Sequence, residues 1–375
     1  MRASMALLEL LLAVAAERPL TLDTKTEARL ATGAEWDSNV ERIAGDETSS
    51  DGLIRALADV ATAIEITPLD RAFVSAVIGA KRFFAVDAED LVVQDYGLAT
   101  SHQVGPLEGG VTARLRSSTV RAASRDYLLR VGGGFIGLTP VEALELRAHA
   151  DGSRLDLFSI PELSYGGPEL GFDATLTLGR LRLRGSADYS ERNYEGNSFQ
   201  KVEVPEIGGR RTVLSRCDGR DGLGPPRCLP QLRSDQELAF GLRAFYRSTY
   251  QLGGEALVRV NRSNSETEDV DRYRFTLNAS VPLPLGFILS ALGVVQLNRG
   301  NSISESQQLL VDDNLAQNRL EAGLRRALSD SVFVELRYAV YSDQLADEEG
   351  GGFSRQTVYC GISTELSDRP ELGGE

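Results

Sequence analysis

The sequence predicts an all-β fold: a transmembrane, antiparallel, up-and-down β-barrel of about 16 strands, with 14 to 18 compatible with the pattern. Three observations predict it. Apolar and polar residues alternate with period two in segments of roughly ten or more residues, the length a tilted spanning strand requires. The connections between those segments alternate between short and long, as in a barrel with tight turns at one rim and loops at the other. No segment carries a helical period over four turns, and no run of about 18 apolar residues is present, so a spanning helix is excluded.

The alternation is plainest in the middle of the chain. Over 181–194, Leu181, Leu183, Gly185, Ala187 and Tyr189 share one face, and Arg182, Arg184, Ser186, Asp188 and Ser190 the other. The segment before it sets Leu170, Phe172, Ala174, Leu176 and Leu178 against Glu169, Asp173, Thr175 and Thr177, and Gly179-Arg180 supplies a tight hairpin connection. Further on, Leu238, Phe240 and Leu242 oppose Glu237 and Arg243; Tyr273, Phe275 and Leu277 oppose Arg272 and Arg274; Val334, Leu336 and Tyr338 oppose Glu335 and Arg337. Near the start, Ala28, Leu30 and Trp36 oppose Glu27, Arg29 and Glu35.

Hairpins counted in both directions give strands at 25–37, 52–66, 69–86, 88–102, 107–119, 125–137, 140–150 and 168–179. The second half gives 181–194, 235–247, 250–262, 270–282, 286–298, 315–327, 330–342 and 354–366. Short turns such as "GR", "STYQ" and "PLPLG" alternate with long polar stretches, the longest being 195–234. With these phases the leucine faces meet lipid and the arginine faces a wet lumen; Arg326, beside a tight turn, is the charge left on the lipid side.

Composition agrees. Of 375 residues, 42% are hydrophobic and 25% charged. A net charge of -14 excludes nucleic acid as a partner, because phosphate contacts need a basic surface. Arg2 followed by "MALLELLLAVAA" has the form of a secretory signal peptide, 1–16, with Glu9 as a blemish. Residues 17–24 then form a short periplasmic lead, 25–366 the barrel and 367–375 a periplasmic tail. Cys217 and Cys228 lie in one Gly/Pro-rich stretch of the long loop and are expected as a disulfide, while Cys360 is an ordinary strand residue.

These features resemble the outer-membrane β-barrels of Gram-negative bacteria, porin-like in plan. "GAEWDSNV", Gly33 to Val40, resembles a first strand and first outer loop, with Trp36 in an aromatic girdle and Asp37, Ser38 and Asn39 in the headgroup zone. "VYCGISTEL" partly resembles the terminal signal read by the barrel assembly machinery: Gly361 and Leu366 match, and Thr364 replaces the usual aromatic. The resemblance implies localisation in the cell outer membrane, with lipid, lipopolysaccharide and the assembly machinery as partners.

The inward phase carries Arg114, Arg116, Arg147, Arg182 and Arg184, then Arg243, Arg259, Arg272 and Arg274, then Arg325 and Arg337, with Asp188 and Glu335 among the acids. In all it holds about seventeen bases, Arg130 included, against twelve acids. The expected function is a passive pore for small polar solutes with mild anion preference, without a cofactor. A barrel serving a polysaccharide-export or secretion assembly, with a periplasmic partner, is the second reading. A third is an outer-membrane hydrolase using His149, near the outer end of its strand, with Asp156 and Ser159 following. The other histidine, His102, falls at a periplasmic turn, and no metal-ligand spacing occurs along the chain.

Overall fold

A computed structural model describes residues 23–40, 49–122, 126–197, 199–206, 209–216, 231–265, 268–299, 318–342 and 354–367. The proposed signal peptide and the Cys217–Cys228 pair lie outside the described residues.

The strands follow the hairpin plan. The first nine are β1 (Asp23–Asp37), β2 (Asp51–Glu65), β3 (Asp70–Phe83), β4 (Leu91–Val104), β5 (Leu107–Val120), β6 (Tyr127–Val141), β7 (Leu144–Leu157), β8 (Tyr165–Leu178) and β9 (Leu181–Asn197). A separate two-stranded hairpin follows, β10 (Phe199–Glu206) and β11 (Gly209–Arg216). Then come β12 (Leu232–Arg247), β13 (Gln251–Ser263), β14 (Val270–Leu283), β15 (Phe287–Arg299), β16 (Asn318–Ala327), β17 (Val332–Ser342) and β18 (Ser354–Ser367). Setting the hairpin aside, each strand pairs antiparallel with its neighbours in sequence, β9 pairs with β12, and β1 pairs with β18. The result is a closed 16-stranded barrel. Closure satisfies the backbone groups that an open sheet edge would leave bare in hydrocarbon.

Short turns gather at one rim: 105–106 between β4 and β5, 179–180 between β8 and β9, and 284–286 between β14 and β15. Gly179 has φ +57°, a backbone conformation that favours glycine and fits the tight β8–β9 turn. The long connections gather at the opposite rim.

The lipid-facing set is broad and apolar. Leu277 is 70% exposed, and Ile136, Leu242, Phe240, Leu320 and Ile362 are likewise open on the outer face. Cys360 points the same way and is a free thiol. Beyond the apolar band the wall continues at the loop end, where Arg130 and Arg154 pair with Asp156, and Arg262 with Asp271. Most strands exceed the roughly 9–11 residues a span needs, so the barrel rises past the acyl zone on that side.

Four sequence expectations change. The long connection is 198–231, not 195–234, because β9 runs on to Asn197, β12 starts at Leu232, and the span contains the β10–β11 hairpin. The seventh strand is Leu144–Leu157, not 140–150: Asp151-Gly152-Ser153 has turn chemistry, yet pairs with Gly133, Gly132 and Val131 of β6. Arg130 faces out. It pairs with Arg154 across β6–β7 on the face opposite Phe135 and His149, the doublet Leu128-Leu129 having blurred the phase. Asp37 and Asn39, expected among headgroups, are each 1% exposed and turned inward, Asp37 onto Arg355 of β18.

Candidate pore interior

Strand alternation carries Arg114 and Arg116 of β5, Arg147 of β7, and Arg182, Arg184 and Asp188 of β9 to the inner face. Arg243 of β12, Arg259 of β13, and Arg272 and Arg274 of β14 lie on the same side, as do Arg325 of β16 and Glu335 and Arg337 of β17. That this side is the interior follows from contacts across non-adjacent strands. Arg29 of β1 reaches Glu335 of β17 at 3.5 Å, and Arg325 reaches Glu365 of β18 at 2.6 Å.

Most of these charges are matched on the wall. Arg114 pairs with Asp95, Arg184 with Asp173 at 3.0 Å, Arg243 with Glu255 at 2.7 Å, and Arg337 with Glu335 at 3.1 Å. Each joins cross-strand or same-face neighbours on one ladder, the geometry in which opposite charges stabilise a sheet. Arginines also stack on inward aromatics: Arg147 over Phe135 and Arg325 over Phe333, each 3.6 Å from the ring centre, and Arg337 over Tyr359 at 4.5 Å.

The pairing leaves local imbalance. Arg259 and Arg272 are register partners on β13 and β14, and Arg274 follows on the same face. Beside them Glu237 accepts from Arg192 at 3.1 Å and lies 3.9 Å from Arg259. Among the described residues, Arg147, Arg182 and Arg274 have no carboxylate within ion-pair distance. The inner face also carries charges outside those counted from the sequence, more of them acids than bases. Asp37, Asp51, Asp151, Asp235 and Glu365 join the inner face with Arg192, Arg233 and Arg355, and Arg130 leaves it. The base excess counted from sequence therefore narrows.

Towards the loop end the lumen holds a cavity of about 290 Å³. Its lining mixes charge with phenols: Glu35, Arg55, Lys81, Arg116, Arg337 and Tyr359 are among its residues. Glu35 is held by Arg55 at 2.6 Å and Lys81 at 3.7 Å. The cavity's charged groups and phenols offer hydrogen-bond partners to polar solutes, beside apolar residues such as Leu57, Phe83 and Val93.

His149 occupies the middle of β7, since the strand continues to Leu157, and not the outer end. Its imidazole nitrogen lies 3.6 Å from Asp188 and 3.8 Å from Asp151. Asp156, one of the acids weighed for a hydrolytic group, points away from it on the other face, held by Arg130 and Arg154. His102 pairs with Asp70 at 2.6 Å near the short-turn rim.

A closed ring of 16 antiparallel strands, apolar outside and charged within, is the architecture of the porin-like β-barrels of the bacterial outer membrane, and the chain has that fold. Salmonella typhi OmpF, solved as a complex with daunomycin, superposes with a TM-score of 0.52 at 13% identity, covering 92% of this chain and 98% of that one. Pseudomonas aeruginosa OpdL gives 0.45 at 11% identity, over 92% of this chain and 99% of that one. An anion-selective porin from Comamonas acidovorans gives 0.39 at 8% identity, over 92% and 100%. No family model and no curated protein matches the chain.

Proposed function

We propose that the protein is a passive outer-membrane pore for small polar solutes, exported by its N-terminal segment, with mild anion preference. The observation that carries this reading is the inner wall: charged side chains on alternate positions of successive strands, over an exterior stripped of charge in its apolar band. A barrel of this strand number encloses a water-filled channel unless something plugs it. The preference rests on the row formed by Arg259, Arg272 and Arg274, and on Arg147 and Arg182. It is mild because most other wall charges are paired.

Purified protein in a planar bilayer should give discrete conductance steps. Under a salt gradient the reversal potential should show modest anion preference, and replacing Arg272 and Arg274 together with Gln should move it towards cations. A silent bilayer would overturn the pore reading. A reversal potential unmoved by the double substitution would show that this wall does not set selectivity.

A further inference from the structure

We infer that the pore wall carries a binding site for a first-row divalent cation, formed by His149 of β7, Glu169 of β8 and Asp188 of β9, with Asp151 beside them. One donor atom from each of the three lies within 4.8 Å of the others. The site follows from register. His149 faces Gly171, which faces Asp188, so these three form one row across β7, β8 and β9. Asp151 faces Glu169 in the next inward row.

Two features separate this cluster from the ion pairs elsewhere on the wall. The first is charge: three carboxylates surround one imidazole, and among the described residues no arginine forms an ion pair with Glu169 or Asp188. The neighbouring cations are engaged, Arg184 with Asp173 and Arg243 with Glu255. His149, Glu169 and Asp188 border one lumen cavity of about 200 Å³ together with Asp173, Arg184 and Arg243. The imidazole nitrogen also stands too far from both aspartates, at 3.6 and 3.8 Å, for a hydrogen bond.

The second is Gly171. A Cβ at this position would collide with Asp188 Oδ1 and with the imidazole Cε1 and Nε2 of His149. The absence of a side chain there lets the donors converge on one point. Imidazole with carboxylates suits zinc, manganese or iron(II), whereas calcium and magnesium favour all-oxygen shells. Both carboxylates and the neutral imidazole bind without redox chemistry, so the step is ligand exchange with water on the ion.

Detergent-refolded protein should bind one zinc ion in isothermal titration calorimetry. Cobalt(II) should give the visible spectrum of nitrogen and oxygen ligation, without the near-ultraviolet band that thiolates of Cys217 or Cys228 would add. Loss of a direct ligand in H149A should cost at least the roughly 10–100-fold that loss of an outer-shell partner costs. G171A keeps every ligand but fills the centre and should weaken binding comparably, while H102A should leave it intact. Each barrel is checked for heat-modifiable migration, so misfolding is separable from lost binding. Absence of zinc binding in the unaltered protein would overturn the site, as would H149A and G171A binding zinc as tightly as the unaltered protein. Neither outcome depends on whether the pore conducts.

Discussion

Leu277→Arg should block barrel assembly. Leu277 lies midway along β14 and is 70% exposed on the outer face, so the guanidinium would sit against acyl chains. An Arg at mid-membrane on the lipid face costs about 2–4 kcal/mol. Arg274→Leu, three residues away on the inner face, removes one charge from a crowded basic wall and should assemble. The check is the heat-modifiable band in isolated outer membranes: lost or much reduced for Leu277→Arg, retained for Arg274→Leu. The reverse ranking would mean that the barrel is inside out.

Asp37→Ala should be the most destabilising single change at the seam where the barrel closes. Asp37 on β1 is 1% exposed and holds the guanidinium of Arg355 on β18, with Nη2 at 2.6 Å and Nε at 2.8 Å. It also accepts from the backbone N–H of Asn39. Removing the carboxylate strands a buried arginine, which costs about 3–5 kcal/mol. Urea unfolding of the barrel in lipid vesicles should show a lowered midpoint, and the Asp37→Ala/Arg355→Ala double variant should recover part of the loss. An unchanged midpoint for Asp37→Ala would remove this pair from the account of closure.

The hairpin plan was legible in the sequence because one face of each strand meets lipid along its length, and a period of two then survives in the residues. It fades where that constraint fades. Asp151-Gly152-Ser153 sits in the part of β7 nearer the loop end, and its turn-like chemistry hid a paired strand. Leu128-Leu129 carries the same ambiguity and sent Arg130 to the wrong face. Inward charges were readable one by one, but their pairing is a property of register. Nothing local in the chain says that Arg325 meets Glu365, some forty positions on. The His149 cluster was hidden for the same reason: its ligands come from three strands, 20 and 19 residues apart, so no metal-ligand spacing exists to be found. Gly171 gave no signal at all, since its meaning lies in what stands on either side of it.

The central claim is that odd and even positions of each strand face different solvents, and β12 tests it most directly. In a protein whose own cysteines are replaced by alanine, single cysteines are placed in turn at Ala239, Phe240, Gly241, Leu242 and Arg243. The barrel in native outer membranes is then treated with a small membrane-impermeant maleimide. Positions 239, 241 and 243 should react and 240 and 242 should not, because only the first set opens to an aqueous lumen. Uniform reactivity, or labelling at 240 and 242 alone, would contradict a water-filled barrel with its arginines inside.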